Sequence, residues 1–303
     1  MDCIYQGFQH LTANYKIAHG TPINVDVLVP QNLRSGMHPI IFRFHGGGFT
    51  SGSSLYPGFF PRWILQLALA KGAIIVTPNY RLLPEANALD ILEDLDDLWA
   101  WLTPGLNNLL SSSSIDGLQA DLSRVLTVGE SAGGYLSVQF ALDHATEGVR
   151  ATIAECASLD IRAMAALGGA QNFSSSTNSQ RPADSSNPPV IADSTLSRFG
   201  LINEIIEGGR LLDYFPEIER VHPLERLNNG ACMPPTFLIH GLDDRVVPCS
   251  QSEVFAKKIL AQTPNANVHL ELQPGDHLMD IPLQLGHPWL VKGIRLVTDA
   301  WLG

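Results

Sequence analysis

The chain has 303 residues, 45% apolar and 16% charged, with 19 Lys and Arg against 30 Asp and Glu for a net charge of −11. That apolar share excludes a wholly disordered chain, and a chain of this length buries about three quarters of its unfolded surface, so a core needs no metal or disulfide. The negative field repels phosphate backbones and sets nucleic acid aside as a partner, and no run reaches the ~18 apolar residues of a spanning helix, so no membrane partner is expected.

Short apolar runs alternate with helical patterns along the chain. Residues 23–29 alternate and predict a first strand ending at Pro30, with only about 20 residues before it. Residues 39–44 (PIIFRF) form a β-branched and aromatic run ahead of a glycine cluster. Residues 59–71 place Phe60, Ile64, Leu67 and Ala68 on one helical face, and Gly72 stops it. Residues 73–77 (AIIVT) predict a buried strand. Residues 90–102 predict a helix with Ile91, Leu92, Leu95, Leu98, Trp99 and Leu102 inward and Asp90, Glu93, Asp94, Asp96 and Asp97 outward. Residues 111–114 read as a surface loop. There follow a strand over 124–128, a helix over 132–142 and a weaker strand over 151–154. After a long gap come a strand over 235–240, a helix over 253–260, a strand over 268–272 and a final helix over 290–301. This alternation predicts an α/β fold: one domain over residues 1–303, with a mostly parallel central sheet and helices on both faces.

Residues 159–233 break the pattern and show no clear strand. Residues 172–189 are Ser-rich and Pro-rich, a composition that predicts mobility. Residues 196–214 have helical spacing at Leu201, Ile205, Ile206 and Leu212, interrupted by Gly208-Gly209. The whole stretch reads as a cap or lid inserted into the domain. The four cysteines, Cys3, Cys156, Cys232 and Cys249, lie far apart with no C-x-x-C pair, so neither a zinc site nor a disulfide framework is expected. The start lacks a basic and apolar leader, so the expected compartment is the reducing cytoplasm.

Two glycine-rich motifs follow predicted strands. Gly129-Glu130-Ser131-Ala132-Gly133 fits G-x-S-x-G between a strand and a helix. A sharp turn there needs glycines where a Cβ would collide, and it lifts the serine hydroxyl to a helix N-terminus. His45-Gly46-Gly47-Gly48-Phe49 follows PIIFRF, and consecutive glycines turn backbone N–H groups toward a ligand. A serine hydroxyl needs a base. Of ten histidines, His277 sits on a loop after the strand 268–272, at the sheet edge where α/β folds bind ligands. His240 and His287 read as packing and helix-boundary residues, and His45 as a brace of the glycine loop. The base needs an acid to hold its tautomer. Asp243 and Asp244 share the loop after 235–240; Asp244 is preferred because it fits G-x-x-D-x-x-V, and Asp276 is adjacent to the ring it would have to orient. The order Ser131, Asp244, His277 is that of the α/β-hydrolase architecture.

These blocks, with Tyr80-Arg81-Leu82-Leu83-Pro84-Glu85 and Gly241–Pro248, make the chain resemble α/β-hydrolases of the hormone-sensitive-lipase-like esterase branch over about residues 20–300. The resemblance implies an α/β-hydrolase fold with Ser131 as nucleophile, His277 as base and Asp244 as orienting acid. It implies an oxyanion hole from the backbone of Gly47, Gly48 and Ala132, and a bracing role for Tyr80, Arg81 and Glu85. Phe49, Tyr56, Phe59 and Leu201 are the candidate substrate-pocket side chains. Some members pair through the last strand and helix, so a homodimer is one expected assembly. The build also resembles esterase-like hydrolases of fungal biosynthetic pathways.

The expected activity is cleavage of a small-molecule carboxylic ester through an acyl-enzyme, with no metal and no organic cofactor. The same triad serves amides, thioesters and lactones, because they share a tetrahedral intermediate. A non-hydrolytic receptor or cyclase on this scaffold is the alternative of a different class. An interfacial lipase is disfavoured by the acidic charge and the lack of a basic amphipathic segment.

Overall fold

A computed structural model describes residues 3–169 and 188–303. The chain first runs through β1 (Phe8–Ala18), β2 (Thr21–Pro30), β3 (Gly36–Phe44), α1 (Arg62–Lys71), β4 (Ile74–Pro78) and α2 (Ala88–Trp101). It continues through α3 (Asn107–Leu110), β5 (Leu118–Glu130), α4 (Ala132–His144), β6 (Val149–Glu155) and α5 (Ile161–Gly169). Then come α6 (Leu201–Glu207), α7 (Leu211–Tyr214), α8 (Pro223–Asn228), β7 (Thr236–Gly241), α9 (Ser250–Gln262), β8 (Val268–Gln273) and α10 (Pro288–Leu302).

The described strands form one eight-stranded sheet in the order β1-β2-β4-β3-β5-β6-β7-β8. β2 runs antiparallel to both its neighbours, and every pairing from β4 to β8 is parallel. Successive side chains on a strand point to opposite faces. Accordingly Phe42 and Val76 join Leu92 and Leu95 of α2 and Phe140 of α4 in one apolar cluster, while Ile41 and Ile75 join Trp63 of α1 and Ile294 and Trp301 of α10 in another. Each such side chain contributes ~1.5–3 kcal/mol by leaving water. Local signals set the helix limits. Asn87 caps α2 by accepting from the Leu89 and Asp90 amides while Asp90 returns a bond to the Asn87 amide, and Gly72 ends α1 at φ 62°.

Register brings distant loops together. Phe44 is level with Gly129, Glu130 with Glu155, Glu155 with Ile239, and Gly241 with Gln273. The segments leaving β3, β5, β6, β7 and β8 therefore emerge at one edge.

Four readings change. β1 precedes the expected first strand; its side chains are mostly half-buried or exposed, so its apolar signal is weak. β5 starts at Leu118, six residues earlier than expected, its first part pairing with Gly36, Met37 and His38. Asp94 of α2, expected outward, is fully buried, accepting from the Arg81 amide at 2.9 Å and Arg81 Nε at 2.8 Å, with Lys16 Nζ 3.0 Å away. Between β6 and β7, α5 and α8 were not anticipated, and Gly208-Gly209 separates α6 from α7. The Ser-rich residues 172–187 lie outside the described residues.

Candidate active site

The β5–α4 junction carries Ser131 at φ 56°, ψ −118°, a backbone conformation that a non-glycine residue adopts only when its surroundings impose it. Its amide donates to the Glu155 carbonyl at 2.8 Å, fastening the turn to β6. A Cβ on Gly129 would lie 2.2 Å from the Gly133 carbonyl oxygen, and one on Gly133 2.0 Å from that of Phe44. Both overlaps are with backbone, so both positions require glycine.

The glycine loop after β3 passes beside this turn. Gly47 and Gly48 have φ of 112° and 64°. The Gly47 carbonyl accepts from the Thr50 and Ser51 amides, and among the described residues no acceptor takes the Gly47 or Gly48 amide. Glu130 Oε1 accepts the Gly46 amide at 2.8 Å, coupling the loop to the turn. His45 is buried, faces the Gly46 carbonyl through Nδ1 at 2.8 Å and stacks on Tyr80, whose hydroxyl donates to the His45 carbonyl at 2.6 Å. Burial pushes the His45 imidazole down to about 3, so it stays neutral. Ile202 of α6 lies over Gly48: a Cβ there would come within 2.7 Å of its Cγ2.

After β7 and β8, Asp244 Oδ2 and His277 Nδ1 meet at 2.7 Å, with the Asp244 side chain fully buried. Asp244 Oδ1 accepts the Val246 and Val247 amides at 2.8 and 2.9 Å. His240 Nε2 lies 3.2 Å from Oδ2 and 2.9 Å from the Val247 carbonyl, which can only accept, so Nε2 carries the hydrogen; Nδ1 then accepts from the Ser252 hydroxyl at 2.8 Å. Burial alone raises the Asp244 carboxyl, but hydrogen bonds from His240 and His277 outweigh it and hold the group well below the carboxylate range. Asp243 is exposed and accepts the Gly275 amide at 3.2 Å. Asp276 pairs with Arg245, which lowers its carboxyl to about 2.

His277 Nε2 faces Cys156 Sγ at 4.0 Å, and among the described residues it makes no hydrogen bond with the Ser131 hydroxyl. Cys156 Sγ, an Asp244 oxygen and a His277 nitrogen lie within 4.8 Å of one another. Of the expected pocket residues, Phe49 is buried edge-to-face against Tyr135 and Phe215, Tyr56 is half-buried edge-to-face with Phe59, and Leu201 is half-buried at the start of α6.

Residues 41–275 match the sequence profile of the α/β-hydrolase fold. The chain belongs to the α/β-hydrolase family. It is 28% identical over 98% of its length to a Phoma sp. protein named "Probable carboxylesterase M8", of which it covers 98%. It is 26% identical over 91% of its length to the non-reducing polyketide synthase Preu6 of Preussia isomera, but spans only 14% of that protein. Its fold is shared with esterase B of Lactobacillus rhamnosis, solved with a tributyrin phosphonate inhibitor: TM-score 0.66, 17% identity, covering 98% of this chain and 86% of that one.

Several residues of this α/β hydrolase escaped sequence reading. His240 contacts Asp244 rather than only packing, and Cys156 faces His277. Arg43, bound to Glu130, is fully buried near the turn, and Glu155 and Asp280 are buried as well. A signal existed for Arg43, the one charge inside PIIFRF; nothing in the spacing marked Glu155 or Asp280 as buried.

Proposed function

We propose that the chain hydrolyses a small-molecule carboxylic ester through an acyl-enzyme. The observation that carries this is the Asp244–His277 pair at 2.7 Å, with the Asp244 side chain buried, at the sheet edge where the Ser131 turn emerges beside the Gly47 and Gly48 amides, which no acceptor among the described residues takes. Asp244 holds the hydrogen on Nδ1, leaving Nε2 as the acceptor for the Ser131 proton. The Ser131–His277 hydrogen bond forms as substrate binds, since such bonds are often long in empty sites. Ser131 Oγ attacks the carbonyl carbon, and the amides of Gly47, Gly48 and Ala132 stabilise the oxyanion. His277 then protonates the leaving alcohol, and water repeats the sequence to release the acid. The described residues among 159–233 act as the cap, with Ile202, Leu201 and Phe49 shaping the space above Gly48. The named carboxylesterase relative supports the ester class.

The test is turnover of p-nitrophenyl esters beside aryl formamides and thioesters, with Ser131→Ala as control. Ser131→Ala should lower kcat by about 10⁴–10⁶-fold in a folded protein and abolish fluorophosphonate labelling. Near-normal turnover in that variant would overturn the assignment, and activity confined to formamides or thioesters would overturn the ester class.

A further inference from the structure

The polypeptide that leads into α6 is a strap, residues 190–200, fastened to the glycine loop around one carboxylate. Asp193 is 8% exposed. Its Oδ2 accepts from the Ser51 hydroxyl at 3.0 Å and the Arg198 amide at 2.8 Å. Its Oδ1 accepts from the Thr195 and Ser197 hydroxyls at 2.7 and 3.2 Å. The main chain adds a bridge: the Asp193 amide donates to the Gly52 carbonyl at 2.7 Å, and the Gly52 amide to the Asp193 carbonyl at 3.1 Å. Farther along the strap, Arg198 Nε donates to the Thr50 carbonyl at 3.1 Å, and Nη2 to the Leu83 carbonyl at 2.8 Å and to Glu85.

What this strap delivers is α6. Its second residue, Ile202, lies against Gly48, so that a Cβ on that glycine would come within 2.7 Å of Ile202 Cγ2 and 3.0 Å of Ile202 Cβ. The glycine loop does not depend on the strap in the same way. The Gly47 carbonyl accepts the Thr50 and Ser51 amides at 3.2 and 3.0 Å from within the loop itself. A trans peptide points its N–H opposite to its C=O, so these two bonds also fix the direction of the Gly48 N–H. The Asp193 carboxylate is therefore needed to place the strap on the loop rather than to shape the loop.

We propose that Asp193 is a positioning residue for acyl selectivity: by tying the strap to Ser51 it sets how closely Ile202 approaches Gly48, and with that the size of acyl group the site admits. The selectivity rests on the hydrolase reading; the tie does not. Two substitutions separate the acceptor geometry from the rest. Asp193→Asn can keep every side-chain contact. Its oxygen takes the Oδ2 place, where the Arg198 amide can only donate, and its NH₂ takes the Oδ1 place, where the Thr195 and Ser197 hydroxyls can accept. Asp193→Ala keeps none of them, leaving the strap on its backbone bridge and on Arg198, and α6 free to lift from Gly48.

The experiment compares kcat and KM for p-nitrophenyl acetate and hexanoate in the wild type, Asp193→Ala, Asp193→Asn and Asp193→Ala combined with Ile202→Ala, together with hydrogen exchange over residues 195–207. In Asp193→Ala the hexanoate-to-acetate ratio of kcat/KM should rise about tenfold, mainly through a lower KM for hexanoate. Amides over 195–207 should exchange about tenfold faster. Asp193→Asn should stay within about twofold of the wild type in both readouts. In the Ile202→Ala background, where the space over Gly48 is already open, Asp193→Ala should raise the ratio by less than about threefold. Ser51→Ala removes only the side-chain bond from strap to loop; it should move the ratio in the same direction and replaces Asp193→Ala should that variant not fold. An unchanged ratio in the folded variant, or an equal loss for both esters, overturns the selectivity role. The full gain repeated in the Ile202→Ala background overturns the route through Ile202, and an Asp193→Asn protein as altered as Asp193→Ala overturns the acceptor geometry. A wild type that neither labels with fluorophosphonate nor turns over esters refutes the hydrolase reading, while the exchange comparison still decides the tie.

Discussion

Asp244→Asn tests the proposed orienting role of this carboxylate separately from the other parts of the site. Two backbone N–H groups, of Val246 and Val247, point at Oδ1 from 2.8 and 2.9 Å, so the new amide must put its oxygen there. Its NH₂ then falls at the Oδ2 position, 2.7 Å from His277 Nδ1 and 3.2 Å from His240 Nε2. The NH₂ donates to Nδ1, which drives the imidazole hydrogen onto Nε2, the nitrogen that accepts the Ser131 proton in the proposed mechanism. The expected loss is about 10⁴-fold in kcat, equivalent to ~5.4 kcal/mol of transition-state stabilisation. The His240 N–H is left facing a second donor, a further loss of about 1–3 kcal/mol in stability. The assay is kcat at saturating p-nitrophenyl acetate, with circular dichroism to verify folding. Asp243→Asn is the control: that side chain is exposed, so turnover should change by no more than about twofold. A folded Asp244→Asn enzyme within tenfold of the wild type, or a collapse of activity in Asp243→Asn instead, would refute the reasoning.

Arg43→Met removes the guanidinium bound to Glu130 and should reduce urea stability by ~3–5 kcal/mol. Burial already raises the Glu130 carboxyl and Arg43 opposes it, so the loss should be larger at pH 8 than at pH 5; a pH-independent loss would contradict the pairing. Gly133→Ala pushes a methyl to 2.0 Å from the Phe44 carbonyl oxygen and 2.8 Å from the His45 carbonyl carbon, forcing the Ser131 turn away from the glycine loop. It should destabilise by at least ~1–3 kcal/mol and abolish ester turnover, which melting and kcat measure together. Ile202→Ala opens space directly over Gly48, so kcat/KM for a bulky acyl ester relative to acetate should rise by roughly tenfold. An unchanged ratio would place the acyl group elsewhere.

The parts of the molecule legible in the sequence are those where one physical requirement dominates. Strand β4 is buried throughout and opens on the apolar run Ile74-Ile75-Val76, and the glycines at 129 and 133 leave no room for a Cβ, so each announces itself locally. What stayed hidden depends on contacts between distant residues. Asp94 sits within the acidic run of α2 and reads as solvated, yet Arg81 and Lys16 draw it inward. β1 mixes polar and apolar side chains because it closes the sheet at its edge. The preference for Asp244 over Asp243 came from motif spacing, and the structure puts Asp244 on His277. Nothing in that spacing foretold His240 on the same carboxylate, because its partner is set by the turn after β7.

The Ser131 amide is bonded to β6 and the glycines at 129 and 133 are wedged against backbone, so the main chain at Ser131 has nowhere to go. Accommodation of differently sized substrates must then come from the serine rotamer and from α6, which touches the anchored half of the site through side chains such as Ile202. Chemistry and selectivity are thereby assigned to separate pieces of polypeptide, and the second can be rewritten by mutation without disturbing the first.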